Sequence, residues 1–301
     1  MPTTLDSHLR MTTHRHTRDA AVAAVLSKLS NLAMLPEIAA RVLRLAEDPD
    51  VTMGRMAEVI STAPELSARI LRIVNSAFYG FPGEVRSIER AAVLMGLESI
   101  KNVTIAASLT RAFQGRPLSR SFSPRDLWTH SLAVAAATRL VALEIDRRLA
   151  EEAFLAGLLH DIGLMAELQY DRQKVGVVLA RMEADPAADL LRIEEQTFGA
   201  THQDFGAALL RGWHLPSSFC QVAEGHHRPL SLPAESQTLP LMVYVADRLV
   251  AGCQPPFMLD EHSTEIADTT LDQLRLTREQ LATIAEAIPA AVQELTAALG
   301  G

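Results

Sequence analysis

The sequence is poor in cysteine and has no long uninterrupted apolar run. Its two cysteines, Cys220 and Cys253, form no paired-cysteine motif, and nothing near the first residue resembles an apolar signal sequence. A disulfide-stabilised secreted domain is therefore not expected, and a reducing cytoplasm is the expected location. Asp247 and Arg248 interrupt the best candidate for a membrane span, which predicts a protein without membrane contact.

The sequence also lacks a basic surface for nucleic acid. Its formal net charge is −8, from 28 Lys and Arg against 36 Asp and Glu, and the basic residues are scattered. A phosphate backbone is attracted by clustered positive charge, so nucleic acid is not an expected partner. A helix-turn-helix over residues 63–79 would have only Arg69 and Arg72 for such contacts.

Alternating patterns of the strand type are rare as well. From Ala21 onward, nearly every segment has apolar residues at helical spacing, for example Leu66, Ile70 and Ile73. The breaks between these segments contain proline and glycine, the residues that usually punctuate helices. The sequence therefore predicts an all-α protein, and its 301 residues suffice for one large or two modest domains.

Polar segments that contain proline divide the chain. The segment from Gln114 to Pro124 is the best internal boundary, because it combines Gly, Pro, Ser and Arg. We predict a flexible tail over residues 1–20, an N-terminal helical subdomain over 21–115 and a second helical subdomain over 124–255. Residues 256–301 are predicted to form a loop and a helix, about Arg278 to Leu299, that packs on this module.

Ionisable side chains interrupt several apolar segments of the second half. His160 and Asp161 stand together in AFLAGLLHDIGLM, and Asp247 lies within LMVYVADRLV. An unpartnered carboxylate or imidazole is costly to bury, so such groups usually meet one another, an ion or a substrate. We predict that they share one site. The candidate metal ligands are His130, His160, Asp161, His202, His226, His227 and Asp247.

Nitrogen and oxygen donors without thiolate suit divalent Mn, Fe, Co or Zn, and helical bundles often carry such sites. Neighbouring residues on a helix diverge by about 100°, so His160 and Asp161 can serve two ions, with the carboxylate bridging. We predict a binuclear site that holds Fe, Mn or a similar divalent ion. One ion is assigned to His130, His160, Asp161 and Asp247, and the other to His202, His226, His227 and the bridging Asp161.

Each of these residues also has an interpretation without metal. A single histidine on an apolar face is more often a hydrogen-bonded core residue than a ligand. His160 and Asp161 can form a buried pair, and His226 and His227 can be a polar helix end. Five buried-looking histidines and two carboxylates in one half together favour metal binding. His214 and His262 lack this context and are interpreted as surface residues.

The order His130, His160–Asp161, Asp247 resembles that of the HD superfamily of metal-dependent phosphohydrolases, and longer motifs resemble its HDOD family. The resemblance covers about residues 25 to 255 and implies two packed helical bundles, the C-terminal one HD-like. It also implies a bacterial signalling or regulatory module. The motifs that carry it are LPE (35–37), APELSARILRIVNSAFYG (63–80), GLE (96–98), WTHS (128–131), AGLLHDIG (156–163) and GW (212–213) before LP (215–216).

The chain departs from the related HD-GYP phosphodiesterases, which cleave cyclic di-GMP. Those enzymes have histidines at positions similar to His202, His226 and His227. Where their motif continues HDxGK, however, Leu164 replaces the lysine, and the sequence after His227 reads RPL instead of GYP. The missing lysine removes a point charge that would help to hold a substrate phosphate.

Two functional hypotheses follow from these patterns. The favoured one is a cytoplasmic signalling module with an HD-type metal site, no assigned catalytic residue, poor hydrolase activity and signalling proteins as partners. The alternative is a metal-dependent phosphohydrolase that binds a nucleotide or cyclic dinucleotide and uses a metal-bound hydroxide as nucleophile. A further choice concerns Phe78 and Tyr79, which suit either packing between the two halves or a recognition loop.

Overall fold

The computed structural model describes residues 4–29, 35–119, 122–185, 187–253, 257, 259 and 263–299, with side chains from residue 16 on. These residues form helices and connecting turns, and none of them lies in a strand. The predicted all-α class is confirmed. None of the described helices has the length and apolar character that crossing a bilayer requires.

The N-terminal part is built from short helices with local start signals. Thr52 and Ser87 cap two of them by accepting hydrogen bonds from the main-chain N–H groups of Arg55 and Arg90, and Pro64 begins another. The helices are α1 (Thr4–Lys28), α2 (Glu37–Ala46), α3 (Met53–Ser61), α4 (Pro64–Val74), α5 (Ile88–Met95) and α6 (Leu97–Leu109).

The C-terminal part contains longer helices. Ser123 caps the first of them, and Thr201 forms a reciprocal capping box with Asp204 in another. The helix predicted over about Arg278 to Leu299 is observed with those bounds. The helices are α7 (Pro124–Ile145), α8 (Ala150–Leu159), α9 (Ile162–Tyr170), α10 (Arg172–Ala184), α11 (Leu190–Phe198), α12 (His202–Gly212), α13 (Ser217–Gly225), α14 (Thr238–Cys253), α15 (Asp268–Leu274) and α16 (Arg278–Leu299).

Helices α2 to α6 pack on one another as one bundle, while α7, α8, α9, α12, α13 and α14 form the other. Helix α6 contacts α8, and α16 contacts both α4 and α7, so the two bundles pack against each other. Buried apolar side chains from Val25 to Leu299 form one continuous core. The two packed bundles are those that the sequence predicts, while the exact residue boundaries between them stay a prediction.

Helix α1 covers most of the segment predicted to be a flexible tail. It contacts α9 and α12, Val25 is buried, and Arg18 forms ion pairs with Glu195 and Asp204 at 3.1 and 3.5 Å. Residues 16–20 are exposed, so they have no apolar face whose spacing would have indicated a helix. Residues 1–3 of the predicted tail lie outside the described residues.

The segment from Asn75 to Gly80 packs between the halves. The Asn75 side chain accepts a hydrogen bond from the Val85 N–H at 2.7 Å and donates to the Val85 carbonyl at 2.8 Å, which closes a loop. Gly80 has φ of +64°, a conformation that favours glycine. Tyr79 reaches Glu151 in α8 with its hydroxyl. This contact supports the packing interpretation, while recognition of a partner stays a prediction.

Candidate metal centre

Most of the candidate ligands lie where one helix ends or the next begins. His160 and Asp161 occupy the two residues between α8 and α9, His202 begins α12, and His226 and His227 directly follow α13. His130 and Asp247 instead lie within α7 and α14. All seven candidate side chains are buried. The tertiary fold therefore gathers residues from six helices or their ends at one place.

Gly163 allows the start of α9 to lie against the start of α12. A side chain there would place its Cβ only 1.8 Å from the carbonyl oxygen of His202 and 2.8 Å from the N–H nitrogen of Gly206. The first turn of α9 thus lies directly on the backbone of α12, and any residue larger than glycine would separate them. This contact holds Asp161 close to His202.

Asp161 is the centre of the cluster. Its Oδ2 atom lies 3.2 Å from Nε2 of His160 and 3.7 Å from Nε2 of His130. Its Oδ1 atom lies 3.3 Å from Nε2 of His226 and 3.5 Å from Nε2 of His202. The two oxygens of one carboxylate thus face two separate sets of imidazoles.

The donor atoms fall into two groups that share Asp161. Within each group, one ligand atom per residue lies within 4.8 Å of all the others. Asp247 contacts His130, with Oδ1 3.4 Å from Nε2, but the first group does not extend to it. Apart from Asp247, the membership is that of the predicted division, and the role of these residues as metal ligands stays a prediction. The groups are His130, His160 and Asp161, and Asp161, His202, His226 and His227.

Three imidazoles are anchored through Nδ1. That atom lies 2.7 Å from the Gly157 carbonyl in His160 and 3.1 Å from the Val222 carbonyl in His226. In His202, Nδ1 lies 2.8 Å from the Glu194 carboxylate. An Nδ1–H group that donates to such an oxygen leaves the Nε2 lone pair available as a ligand. Each Nε2 atom of these residues faces Asp161.

Glu194 was not among the predicted site residues. It lies in α11, is fully buried, and accepts hydrogen bonds from both the ring and the main-chain N–H of His202. A carboxylate behind a ligating histidine fixes the ring and increases its basicity. The sequence signal was a charged residue on the buried face of α11, but nothing local connected it to a histidine eight residues later.

The charges of the cluster are strongly shifted. Burial lowers the pKa of His160, but the charge and hydrogen bond of Asp161, together with Asp247 and the Gly157 carbonyl, raise it to about 9. Burial opposes ionisation of Asp161, yet His160, His226 and His202 hold the pKa of Asp161 well below its usual range. The pKa of His227 is lowered well below normal by burial and by His226 and His202. Without metal, the site thus contains a protonated His160 beside the ionised Asp161, and a neutral His227.

The site chemistry fits divalent ions. Nε2 of His202 lies 3.1 Å from Nε2 of His227 and 3.5 Å from Nε2 of His226, so several nitrogen lone pairs converge on one point. The buried Oδ1 atom of Asp247 accepts no hydrogen bond from the described part of the chain. Its contact with Nε2 of His130 is 3.4 Å long. A buried oxygen that accepts no hydrogen bond is costly, and a cation beside it reduces that cost. The residues present therefore fit the predicted metal ions.

Aromatic side chains cover the His130 side of the cluster. The Phe257 ring stacks on the His130 imidazole, with centroids 4.7 Å apart and planes inclined by 14°. Phe122 in turn contacts Phe257, and both phenylalanines are buried. Such an apolar covering lowers the local dielectric constant and limits solvent access to a metal site. Sequence spacing gave no indication of this contact, because Phe122 and Phe257 come from loops far apart in the chain.

The structure also shows the surroundings of Leu164 and Arg228, where the sequence departs from HD-GYP enzymes. Leu164 is buried in the first turn of α9, where its side chain offers no hydrogen-bond donor. Arg228, after the histidine pair, lies 3.6 Å from Asp189. His214 is exposed, as expected for a surface residue, whereas His262 lies outside the described residues.

Comparison with known proteins identifies similar sequences. The profile of the HDOD domain matches residues 32–229. An uncharacterized protein of Treponema pallidum (strain Nichols) is 24% identical over 219 residues, which make up 72% of this chain and 42% of that protein. The chain therefore spans less than half the length of this curated relative.

Solved structures share the fold. An HDOD domain protein with unknown function from Geobacter sulfurreducens has a TM-score of 0.76 at 23% identity, covering 94% of this chain and 97% of its own. A candidate phosphohydrolase from Shewanella amazonensis SB2B has a TM-score of 0.72 at 24% identity, with coverages of 93% and 98%. A candidate signal transduction protein from Marinobacter aquaeolei VT8 has a TM-score of 0.74 at 21% identity, with coverages of 95% and 66%. At these identities the likeness concerns the fold alone.

Proposed function

Because this chain belongs to the HDOD domain family, we propose that it is a bacterial cytoplasmic regulatory protein whose C-terminal bundle binds two divalent metal ions. The observation that carries this proposal is the convergence of imidazole nitrogens on both oxygens of Asp161. Buried donors in this arrangement are costly without a cation. With one they form a nitrogen- and oxygen-rich site of the kind that Fe and Mn occupy.

The proposed ligands divide at Asp161. His130, His160 and Asp247 would hold one ion together with Asp161, and His202, His226 and His227 would hold the other with the same carboxylate. Bound ions of this kind polarise phosphate oxygens and lower the pKa of a coordinated water. The protein itself contributes the buried, pre-oriented imidazoles, and Glu194 keeps His202 in one tautomer.

A regulatory role is favoured over efficient hydrolysis because the chain offers little to hold a phosphodiester. Leu164 supplies no cation beside Asp161, and Phe257 stacks directly on His130. Signalling proteins are the proposed partners, in line with the name given to the Marinobacter relative.

The second candidate function is metal-dependent phosphohydrolysis of a nucleotide or cyclic dinucleotide. The complete set of histidine and aspartate donors favours it, since a site kept only for structure would not need two groups that share a carboxylate. The name of the Shewanella relative points in the same direction. Turnover of a phosphate ester separates the two candidates.

Metal content tests the proposal directly. Purified protein reconstituted with Mn²⁺ or Fe²⁺ should bind two ions per chain, measured by elemental analysis after removal of free metal. Asp161→Asn should lose most of both ions, because the carboxamide carries no charge and cannot bridge them as a carboxylate does. Asp272→Asn, at an exposed position of α15, is the matched control and should retain both ions. Unchanged metal content in Asp161→Asn would contradict the binuclear assignment.

A further inference from the structure

Arg139 and Glu151 form an ion pair at the end of α7 and α8 that lies away from the metal centre. Nε of Arg139 donates to Oε1 of Glu151 at 2.9 Å, and both side chains are largely shielded from water, with exposed fractions of 11% and 15%. A shielded ion pair adds little net stability, because desolvation offsets most of the attraction. What the pair contributes instead is a fixed position of α7 relative to α8.

The pair sets the axial register of two antiparallel helices. His130 lies nine residues before Arg139 in α7, and His160 lies nine residues after Glu151, just beyond α8. Nine residues of helix span about 13 Å, so equal spacing in opposite directions brings the two histidines to the same level. Their ring centroids are indeed 5.4 Å apart.

A close backbone contact lies between these two ends. A Cβ atom at Gly157 of α8 would be 2.6 Å from Oγ1 of Thr138 and 2.8 Å from Cα of Ala135, both in α7. The helices therefore touch at backbone distance there and leave no room to slide past a side chain. Together with the Arg139–Glu151 pair, this contact determines where the ends of α7 and α8 meet.

The N-terminal bundle completes the ion pair. The Tyr79 hydroxyl donates to Oε2 of Glu151 at 2.8 Å, and Arg139 donates to the Phe78 carbonyl at 3.2 Å. The guanidinium carbon lies 4.6 and 4.7 Å from the ring centres of Phe78 and Tyr79. Phe78 also contacts Phe154 of α8. Each oxygen of Glu151 thus has its own donor, one from each bundle.

We infer that Tyr79, Arg139 and Glu151 are positioning residues for the metal centre, through which the N-terminal bundle sets the alignment of His130 with His160 and Asp161. The inference rests on the proposed metal-binding function of that centre. A change in the N-terminal bundle that withdraws Tyr79 leaves one oxygen of Glu151 unsatisfied in a shielded place. The register of α7 against α8 then loosens, and the group of His130, His160 and Asp161 loses the arrangement that metal binding needs.

Tyr79→Phe tests this inference, since it removes one hydroxyl and keeps the ring. Affinity for Mn²⁺, measured by titration calorimetry, should fall by about twofold to thirtyfold, the range of coupling between distant sites. Tyr170→Phe is the matched control, since Tyr170 lies at the end of α9 and contacts Lys28. It should leave the affinity unchanged. Equal destabilisation of metal-free and loaded Tyr79→Phe protein, with unaltered Mn²⁺ affinity, would reduce Tyr79 to a packing residue and overturn the inference.

Hydrogen exchange of the metal-free protein supplies a second measurement. In Tyr79→Phe, amides at the C-terminal end of α8 and around His130 in α7 should exchange faster than in wild type, while those of α12 and α13 should not. If wild type binds no Mn²⁺, the proposed function fails, and exchange alone decides whether Tyr79 positions these helix ends. Unchanged exchange at both ends would contradict the inference in either case.

Discussion

Glu194 contacts the proposed metal centre through one imidazole, that of His202. Its carboxylate accepts the ring N–H of His202 at 2.8 Å and the main-chain N–H of the same residue at 3.0 Å. Burial lowers the pKa of His202, but the charge and hydrogen bond of Glu194, together with the charge of Asp161, raise it above the ordinary value. A more basic imidazole is a better ligand, and the hydrogen bond holds its ring towards Asp161.

Glu194→Gln should therefore weaken metal binding without removing any proposed ligand. The neutral amide keeps the size of the side chain but loses its charge, and we expect affinity for Mn²⁺ to fall by about tenfold to a hundredfold. Glu195→Gln is the matched control, because Glu195 is the next residue and is exposed beside Arg18. Competition with a chromogenic chelator gives the two affinities. Equal values for the two variants would show that Glu194 does not tune the site.

His160 gives the centre a defined pH dependence. Its pKa of about 9 exceeds the ordinary value of 6.5, so in the metal-free protein it is protonated at neutral pH. A metal ligand must be neutral, and binding therefore releases that proton. Apparent metal affinity should rise with pH up to about 9 and level off above it. If His160 had the ordinary pKa of a histidine, the affinity would level off already above about pH 6.5.

Calorimetry in buffers of different ionisation enthalpy measures the released protons. At neutral pH, binding of Mn²⁺ should release at least one proton per chain, whereas above the pKa of His160 the number should fall. The ion pair of protonated His160 with Asp161 also stabilises the metal-free fold. This contribution is fully present below pH 6.5 and is lost as the pH rises through about 9. Proton release near zero at neutral pH would mean that His160 is not a ligand or not protonated.

At the scale of helices, the contact of α9 with α12 is the strictest requirement of the site. Gly163→Ala would put a Cβ atom 1.8 Å from a main-chain oxygen, so the helices would have to separate. We expect a loss of stability of about 3 kcal/mol or more, together with loss of metal. The measurement is chemical denaturation combined with elemental analysis.

Gly176→Ala is the control for this substitution. Gly176 lies inside α10, and an added Cβ there meets no atom within 4 Å. Alanine favours a helix over glycine by about 1 kcal/mol, so this variant should be slightly more stable and keep its metal. A Gly163→Ala protein as stable as Gly176→Ala would contradict the backbone contact between α9 and α12.

At the scale of the whole molecule, catalysis separates the two candidate functions. Wild-type protein loaded with Mn²⁺ or Fe²⁺ should show little turnover of cyclic di-GMP under conditions where an HD-GYP enzyme is active. Leu164 leaves substrate phosphates without the lysine charge, and Phe257 covers His130. Product formation by chromatography is the measurement. Robust metal-dependent cleavage that disappears in Asp161→Asn would instead establish the phosphohydrolase function.

Local sequence patterns sufficed for the fold class and for the residues that meet in the centre. Helical spacing encodes which face of a segment is buried, so it identified α16 and the inward positions of His130 and His202. The same rule gave no helix for residues 16–20, since that part of α1 has no buried face. The sequence leaves packing and recognition open for the Asn75–Gly80 segment, and the contact of Tyr79 with α8 supports packing.

The amino-acid sequence by itself determined that the protein is helical and that polar groups which need partners lie on buried faces. Only the tertiary structure decided which partners they have. Glu194 behind His202, Phe257 on His130, and Tyr79 on the Arg139–Glu151 pair are contacts between different chain segments. Residue spacing describes one helix or loop at a time, whereas these contacts depend on how helices pack. Gly163 is an example: the room for a side chain there is limited by the backbone of α12, a helix that begins 39 residues later.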